Sequence, residues 1–159
     1  MALFTGPAPW QILGASAVAT SVTGTLSETT LATVTIPGGA IGANGVVRVT
    51  MLWTYTNNAN NKIWRLRLNG IGGTAIVGIT RTTSAGDLDQ RIIWNRTSQS
   101  SQVAFSSSTT PAFTNTAGAP LTAAIDTSTA RDLVFTGNLA NIADSITLES
   151  YLVEIAYRP

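Results

Sequence analysis

Every second residue is apolar along 46–56: Val47, Val49, Met51, Trp53 and Tyr55 share one parity, while Arg48, Thr50 and Thr54 share the other. A period of two sends successive side chains to opposite sides of an extended chain, so the stretch predicts a half-buried β-strand and excludes a helix. Residues 62–69 repeat the pattern, with Trp64, Leu66 and Leu68 against Arg65 and Arg67. The link between them, Asn57-Asn58-Ala59-Asn60-Asn61, is a loop by composition, and the pair reads as a hairpin.

The same reading yields strands at 29–36, 74–80, 90–96, 102–106, 131–137 and 145–158, about eight in all. Pro37-Gly38-Gly39 stops the first of these, and Gly42-Ala43-Asn44-Gly45 turns the chain, with Asn-Gly supplying positive φ. In the last strand the apolar phase slips between Leu148 and Tyr151, which predicts a bulge or a strand packed on both faces. Residues 107–129 are rich in Thr, Ala and Pro and lack a period, the mark of a long loop with room for a short helix or strand. No stretch carries a helical period. The expected fold is therefore all-β: an antiparallel two-sheet β-sandwich of the jelly-roll kind with about eight strands.

Residues 1–25 differ from the rest, being dominated by Gly, Ala, Pro, Ser and Thr around a small apolar cluster of Trp10, Ile12 and Leu13. They read as an extended N-terminal arm whose apolar residues need a surface supplied by the body or by another subunit. Residues 26–159 then form the jelly-roll domain, and a chain of 159 residues holds one such core.

Composition narrows the function. The chain contains no His, no Cys and a single Lys, Lys62. Most catalytic machinery uses a group titrating near neutrality or a strong nucleophile with its base, so an enzyme is not expected and no catalytic residue is named. Serine abounds without a histidine partner or a Gly-x-Ser-x-Gly elbow. Asp87 and Asp89 are the one close pair of carboxylates; without a third acid or a glycine-centred loop they read as a solvated turn, and neither a metal nor a cofactor is expected. The nine basic residues are scattered and the net charge is +1, so nucleic acid is not an expected partner. No apolar run is long enough to predict a membrane span, and the first residues lack the basic start of a signal peptide. The sequon Asn95-Arg96-Thr97 carries little weight without one.

Only 11% of the residues are charged, against roughly 25% in ordinary globular chains. Such a surface is weakly hydrated, and part of it is expected to be buried against other copies or a partner. Trp53, Trp64 and Trp94 read as core, leaving Trp10 outside it. Arg48, Arg65 and Arg67 fall on polar strand faces, where they either pair with carboxylates of a neighbouring subunit or stand in solvent.

Four segments, Leu26-Ser27-Glu28-Thr29-Thr30-Leu31-Ala32-Thr33-Val34-Thr35-Ile36-Pro37, Gly42-Ala43-Asn44-Gly45, Leu52-Trp53-Thr54-Tyr55-Thr56-Asn57 and Ile146-Thr147-Leu148-Glu149-Ser150-Tyr151-Leu152-Val153-Glu154, together resemble a recurring β module of tailed-bacteriophage virion proteins. The resemblance spans most of residues 26–158 and carries no catalytic signature. It implies either a capsid decoration (cement) protein or the tip of a head or tail fibre, both commonly trimeric. A fibre carries a long shaft before its tip, whereas residues 1–25 show neither heptads nor a triple-helical repeat, which favours decoration. On that reading the chain is made in the host bacterial cytoplasm and ends on the outer capsid surface of the virion. There it binds the major capsid protein lattice as a homotrimer and stabilises the shell. Trp10, Ile12, Leu13, Arg48, Arg65 and Arg67 are the expected capsid or intersubunit contacts. The alternative is a receptor-binding or lectin-like domain recognising host surface glycans through loops such as 57–61 or 113–115.

Overall fold

The alternation in 46–68 becomes two strands that face each other across the core. β4 (Val46–Tyr55) belongs to one sheet and β5 (Lys62–Leu68) to the other. They are not a hairpin: both strands turn their apolar side inward, and the indole of Trp53 stacks on that of Trp64 at 5.3 Å and 13°. Loop 56–61 therefore crosses from sheet to sheet. The structure is a computed structural model and describes residues 10–105, 113 and 115–159.

Around this pair the described residues form nine further strands: β1 (Gln11–Ser16), β2 (Thr20–Thr23), β3 (Thr29–Ile36), β6 (Thr74–Arg81), β7 (Gly86–Asn95), β8 (Gln102–Ala104), β9 (Leu121–Ala123), β10 (Arg131–Leu139) and β11 (Ser145–Ala156). Seven make the larger sheet, in the order β1-β11-β4-β7-β8-β9 with β2 also on β11. Four make the smaller, in the order β3-β10-β5-β6. Every strand pair is antiparallel. The fold is thus the two-sheet antiparallel sandwich that the alternation predicts, with eleven strands among the described residues instead of eight.

Three of the added strands are short. β1 and β2 lie within residues 10–25, which read from composition as an arm without a strand of its own; both pair with β11, at Ser16↔Tyr151 and Val22↔Ile146 among other positions. Backbone hydrogen bonds to a strand already in place supply what their side chains do not. Residues 1–9 lie outside the described part. β9 occupies part of the aperiodic 107–129 stretch and pairs with β8.

The phase slip in the last strand is a bulge. Ile146 and Leu148 point inward, the pairing with β4 shifts between Leu148 and Ser150, and Val153 and Ile155 then point inward with the opposite parity. The extra residue lets twelve residues of β11 follow β4 while keeping an apolar side to the core. Gly42, with φ 77°, provides the left-handed conformation in the 42–45 turn that the Asn-Gly pair was expected to supply.

One end of the sandwich is closed by a buried amide network. Asn95 Nδ2 donates to Gly42 O at 2.7 Å and Thr127 Oγ1 at 2.9 Å, and Gln102 Nε2 donates to Asn95 Oδ1 at 2.9 Å. Asn95 is buried with its amide committed, so the sequon asparagine of the folded chain is no glycosylation acceptor.

Candidate functional site

The outer face of the larger sheet breaks the rule that a strand's solvent side is polar. On β4 that face carries Arg48, Thr50, Leu52 and Thr54; across from it on β7 stand Ile92, Gln90 and Leu88, and Trp94 opposes Val46. Leu52 is 39%, Leu88 73% and Trp94 42% exposed. Beyond β11, Ile12 of β1 lies opposite Glu154 and is 67% exposed. Trp94 was expected in the core. Ile93 faces inward beside Val47, so the two-residue period turns both neighbours, Ile92 and Trp94, outward.

Two of the charges on this face, Arg48 and Glu154, pair with each other. Arg48 Nε donates to Glu154 Oε2 at 2.8 Å, and the Arg48 guanidinium carbon lies 4.0 Å from the centre of the Trp10 ring. The Glu154 contact raises the Arg48 pKa, keeping it cationic above the indole. Glu149 accepts a hydrogen bond from Thr54 Oγ1. Exposed aliphatic and aromatic side chains around a neutralised ion pair make a surface that loses little on leaving water.

The six residues singled out from sequence divide between two faces. Trp10, Ile12 and Arg48 meet on the outer side of the larger sheet. Leu13, at the bulge of β1, turns the other way and packs on the core. Arg65 and Arg67 stand on the outer side of the smaller sheet and find their carboxylate within the chain: Arg67 Nε and Nη2 donate to the two oxygens of Glu28 at 2.7 and 2.8 Å, and Arg65 Nη1 lies 3.1 Å from Glu28. Arg67 Nη1 also donates to Gly73 O at 2.9 Å, and Thr136 Oγ1 donates to Glu28. Glu28, just before β3, thus replaces the neighbouring subunit's carboxylate.

The Arg67 hydrogen bonds, more than any other cause, hold the Glu28 pKa down from 4.5 to about 2. A carboxylate whose folded pKa lies below its unfolded value contributes stability that is full above pH 4.5 and is lost as pH falls towards 2. With solvent screening allowed for, Glu28→Gln should cost about 1 kcal/mol at pH 7 and much less near pH 2. Urea denaturation of both proteins across that range checks it; a constant difference between them would contradict the assignment.

A second feature lies at the edge of β7. Asp87 and Asp89 sit within the strand rather than in a solvated turn, because they share parity with Arg91 and Ile93 and so face inward. Asp87 pairs with Arg81 at 2.7 Å and Asp89 with Arg91 at 2.7 Å. Burial, the largest influence on Asp89, raises its pKa against the opposing pull of Arg91. Each carboxylate is bound to a guanidinium, and no group of three or more metal-ligating side chains occurs among the described residues. Beside them a cavity of about 290 Å³ is lined by Thr50, Arg81, Asp87, Leu88, Asp89, Gln90 and Phe113.

No family model matches the chain, and no curated protein matches it. Among solved structures it is similar to that of infectious bursal disease virus Gx strain, at 15% identity and TM-score 0.45, over 93% of this chain and 31% of that one. The infectious bursal disease virus VP2 subviral particle gives 10% identity and TM-score 0.42, over 93% and 32%. The CBM2 module of the evolved Dit of Lactobacillus casei BL23 phage J-1 gives 14% identity and TM-score 0.36, over 80% and 70%. The chain spans about a third of the length of the first of these. All three are distant, and the functional reading rests on this chain's own residues.

Proposed function

We propose that the chain is a virion structural protein, a capsid decoration protein that seats the outer face of its larger sheet on neighbouring protein. The observation that carries this reading is the array of Ile12, Leu52, Leu88 and Trp94, exposed on one sheet face whose Arg48–Glu154 charges are already paired. Tryptophan and leucine surrounded by neutral polar groups are what a desolvated interface centre is made of. The partners on this reading are the major capsid protein and sister copies in a homotrimer. Each copy adds a modest free energy, and many copies on one shell sum to a large one. The role is non-catalytic and the place is the outer capsid surface.

The strand orders support a jelly-roll reading of the sandwich. β2-β11-β4-β7 opposite β3-β10-β5-β6 is the arrangement of two Greek keys wound together, with β8 and β9 added at one edge. That architecture is common to viral capsid and lectin domains, so it fits the proposal without deciding within it.

The test is the copy number of the chain relative to the major capsid protein in purified particles, joined to a surface variant. Hundreds of copies support decoration, and a handful move the chain to a fibre or vertex. Leu88→Lys with Trp94→Lys should reduce co-sedimentation with particles at least tenfold, since both removed side chains are interface anchors, and should leave the melting temperature within a few degrees. Undiminished binding would remove this face from the proposal. Truncation to residue 10 keeps β1 and isolates the contribution of residues 1–9.

The cavity at the β7 edge favours a second reading, a receptor-binding domain for host glycans. Leu88 and Phe113 offer apolar surface beside the polar atoms of Asp87, Gln90 and Thr50, a combination suited to the two faces of a sugar ring. Binding on a glycan array that is lost in Phe113→Ala would establish it, and an empty array would remove it.

A further inference from the structure

Lys62, the chain's one lysine, is fully buried. It opens β5 on the same side as Trp64, Leu66 and Leu68, where an aliphatic residue belongs. Its Nζ donates to Asn58 Oδ1 at 2.8 Å and to Asn58 O at 3.1 Å. The Asn58 carboxamide is held from both ends. Its oxygen also accepts the Asn60 N–H at 3.0 Å, and its nitrogen donates to Asp144 Oδ1 at 2.5 Å. Asp144 is 2% exposed, and its Oδ2 has no hydrogen-bond partner among the described residues. A buried amine and a buried carboxylate thus meet through one side-chain amide, with no Lys62 ion pair among the described residues.

We propose that Lys62 and Asn58 are joined by an intramolecular isopeptide bond, with Asp144 relaying protons. The lysine amine is the nucleophile and Asn58 Cγ the electrophile. The Asn60 N–H, already on the carboxamide oxygen, steadies the negative charge that develops there. As Nζ moves from the carboxamide oxygen onto Cγ it nears Asp144, which passes two of the lysine's protons in turn to Asn58 Nδ2, the atom it already touches. The Nζ–Cγ bond forms and the Cγ–Nδ2 bond breaks. Of the three ammonium hydrogens one remains as the isopeptide N–H and two leave on the departing nitrogen, which is released as ammonium carrying the lysine's charge. Asp144 is regenerated, and no oxidant or other reactant is required. Holding amine and amide in contact makes the step unimolecular, and removal of a desolvated ammonium from the core drives it. The spacing of four residues suits closure of a side-chain ring over loop 56–61.

The inference stands apart from the virion reading, and one measurement decides it. The intact mass of the full chain, denatured, should fall below the sequence mass by one ammonia, about 17 Da. Trypsin should leave the chain uncut after Lys62, so that residues 49–65 emerge as one peptide lacking that ammonia. Asp144→Asn and Lys62→Met should both return to their sequence masses, and circular dichroism of Asp144→Asn checks that the fold is kept where Lys62→Met fails to fold. Full mass in the unaltered chain after prolonged incubation overturns the proposal. So does a loss that persists in either variant, which would mark ammonia lost elsewhere, as at Asn44-Gly45 or Asn69-Gly70.

Discussion

Trp64→Ala is expected to lower the stability by about 4 kcal/mol, a large fraction of the roughly 5–15 kcal/mol a domain possesses. Trp64 has no exposed surface, and its ring lies against the equally buried Trp53, one indole from each sheet. Deleting it removes apolar area and also the surface on which Trp53 rests, and the surrounding strands cannot collapse into the space without bending two sheets. Equilibrium urea denaturation followed by circular dichroism measures the loss. Trp64→Phe keeps an aromatic face towards Trp53 and should cost about half as much. Equal losses in the two variants would show that the stack matters less than the volume.

Gly42→Ala should cost at least about 3 kcal/mol, although it adds one carbon at a loop. At φ 77° the backbone is in the region that side chains disfavour. A Cβ there would stand 2.0 Å from the carbonyl oxygen of Arg158 and 2.9 Å from the ring of Tyr157. The obstacle is backbone, so it cannot swing aside. That backbone is also tied down, since Arg158 N donates to Ile41 O at 3.1 Å and Asn44 N donates to Arg158 O at 3.2 Å. Gly24, at φ 72° with no atom within 4 Å of its virtual Cβ, is the control. Gly24→Ala should cost about 1 kcal/mol, the conformational part alone. Denaturation midpoints of the two variants separate strain from collision.

Where one side of a strand was apolar and the other was not, the sequence was enough to place it. β3, β4, β5 and β10 start where their alternation starts, and the parity slip after Leu148 marked the bulge of β11. β1 and β2 were illegible because edge strands are held by backbone pairing, to which Gly, Ala, Ser and Thr contribute as well as any residue. Alternation also fixes which side of a strand faces in, but not which sheet the strand joins, and so β4 and β5 looked like a hairpin.

The surface was half legible. Trp10, Ile12 and Arg48, singled out from sequence, lie together on the outer face of the larger sheet, whereas Leu52 and Leu88 were not singled out and Trp94 was read as core. Their signal was present: each has the parity opposite to the buried residues of its own strand, and an apolar residue on the polar parity is an exposed one. Lys62 is the mirror case, a charged residue on the buried parity. Its partner Asn58 is close in sequence, but Asp144 comes from the turn before β11, and only the fold brings it there.

β11 lies between β4 on one side and β1 and β2 on the other, yet it is the last strand of the described chain. As the polypeptide leaves the ribosome, β1 and β2 have no neighbour to hold them, and β4 lacks one of its two partners. The larger sheet closes only when residues 145–156 arrive and are inserted at its middle. Pairings so distant in sequence fold slowly, in milliseconds to seconds for sandwiches of this kind. Until then Trp53, Val49 and Met51 have a roof on one side only, and an unfinished copy exposes strand edges that another unfinished copy can match. Production of this chain should therefore be limited less by the stability of the finished molecule than by how crowded its unfinished copies are.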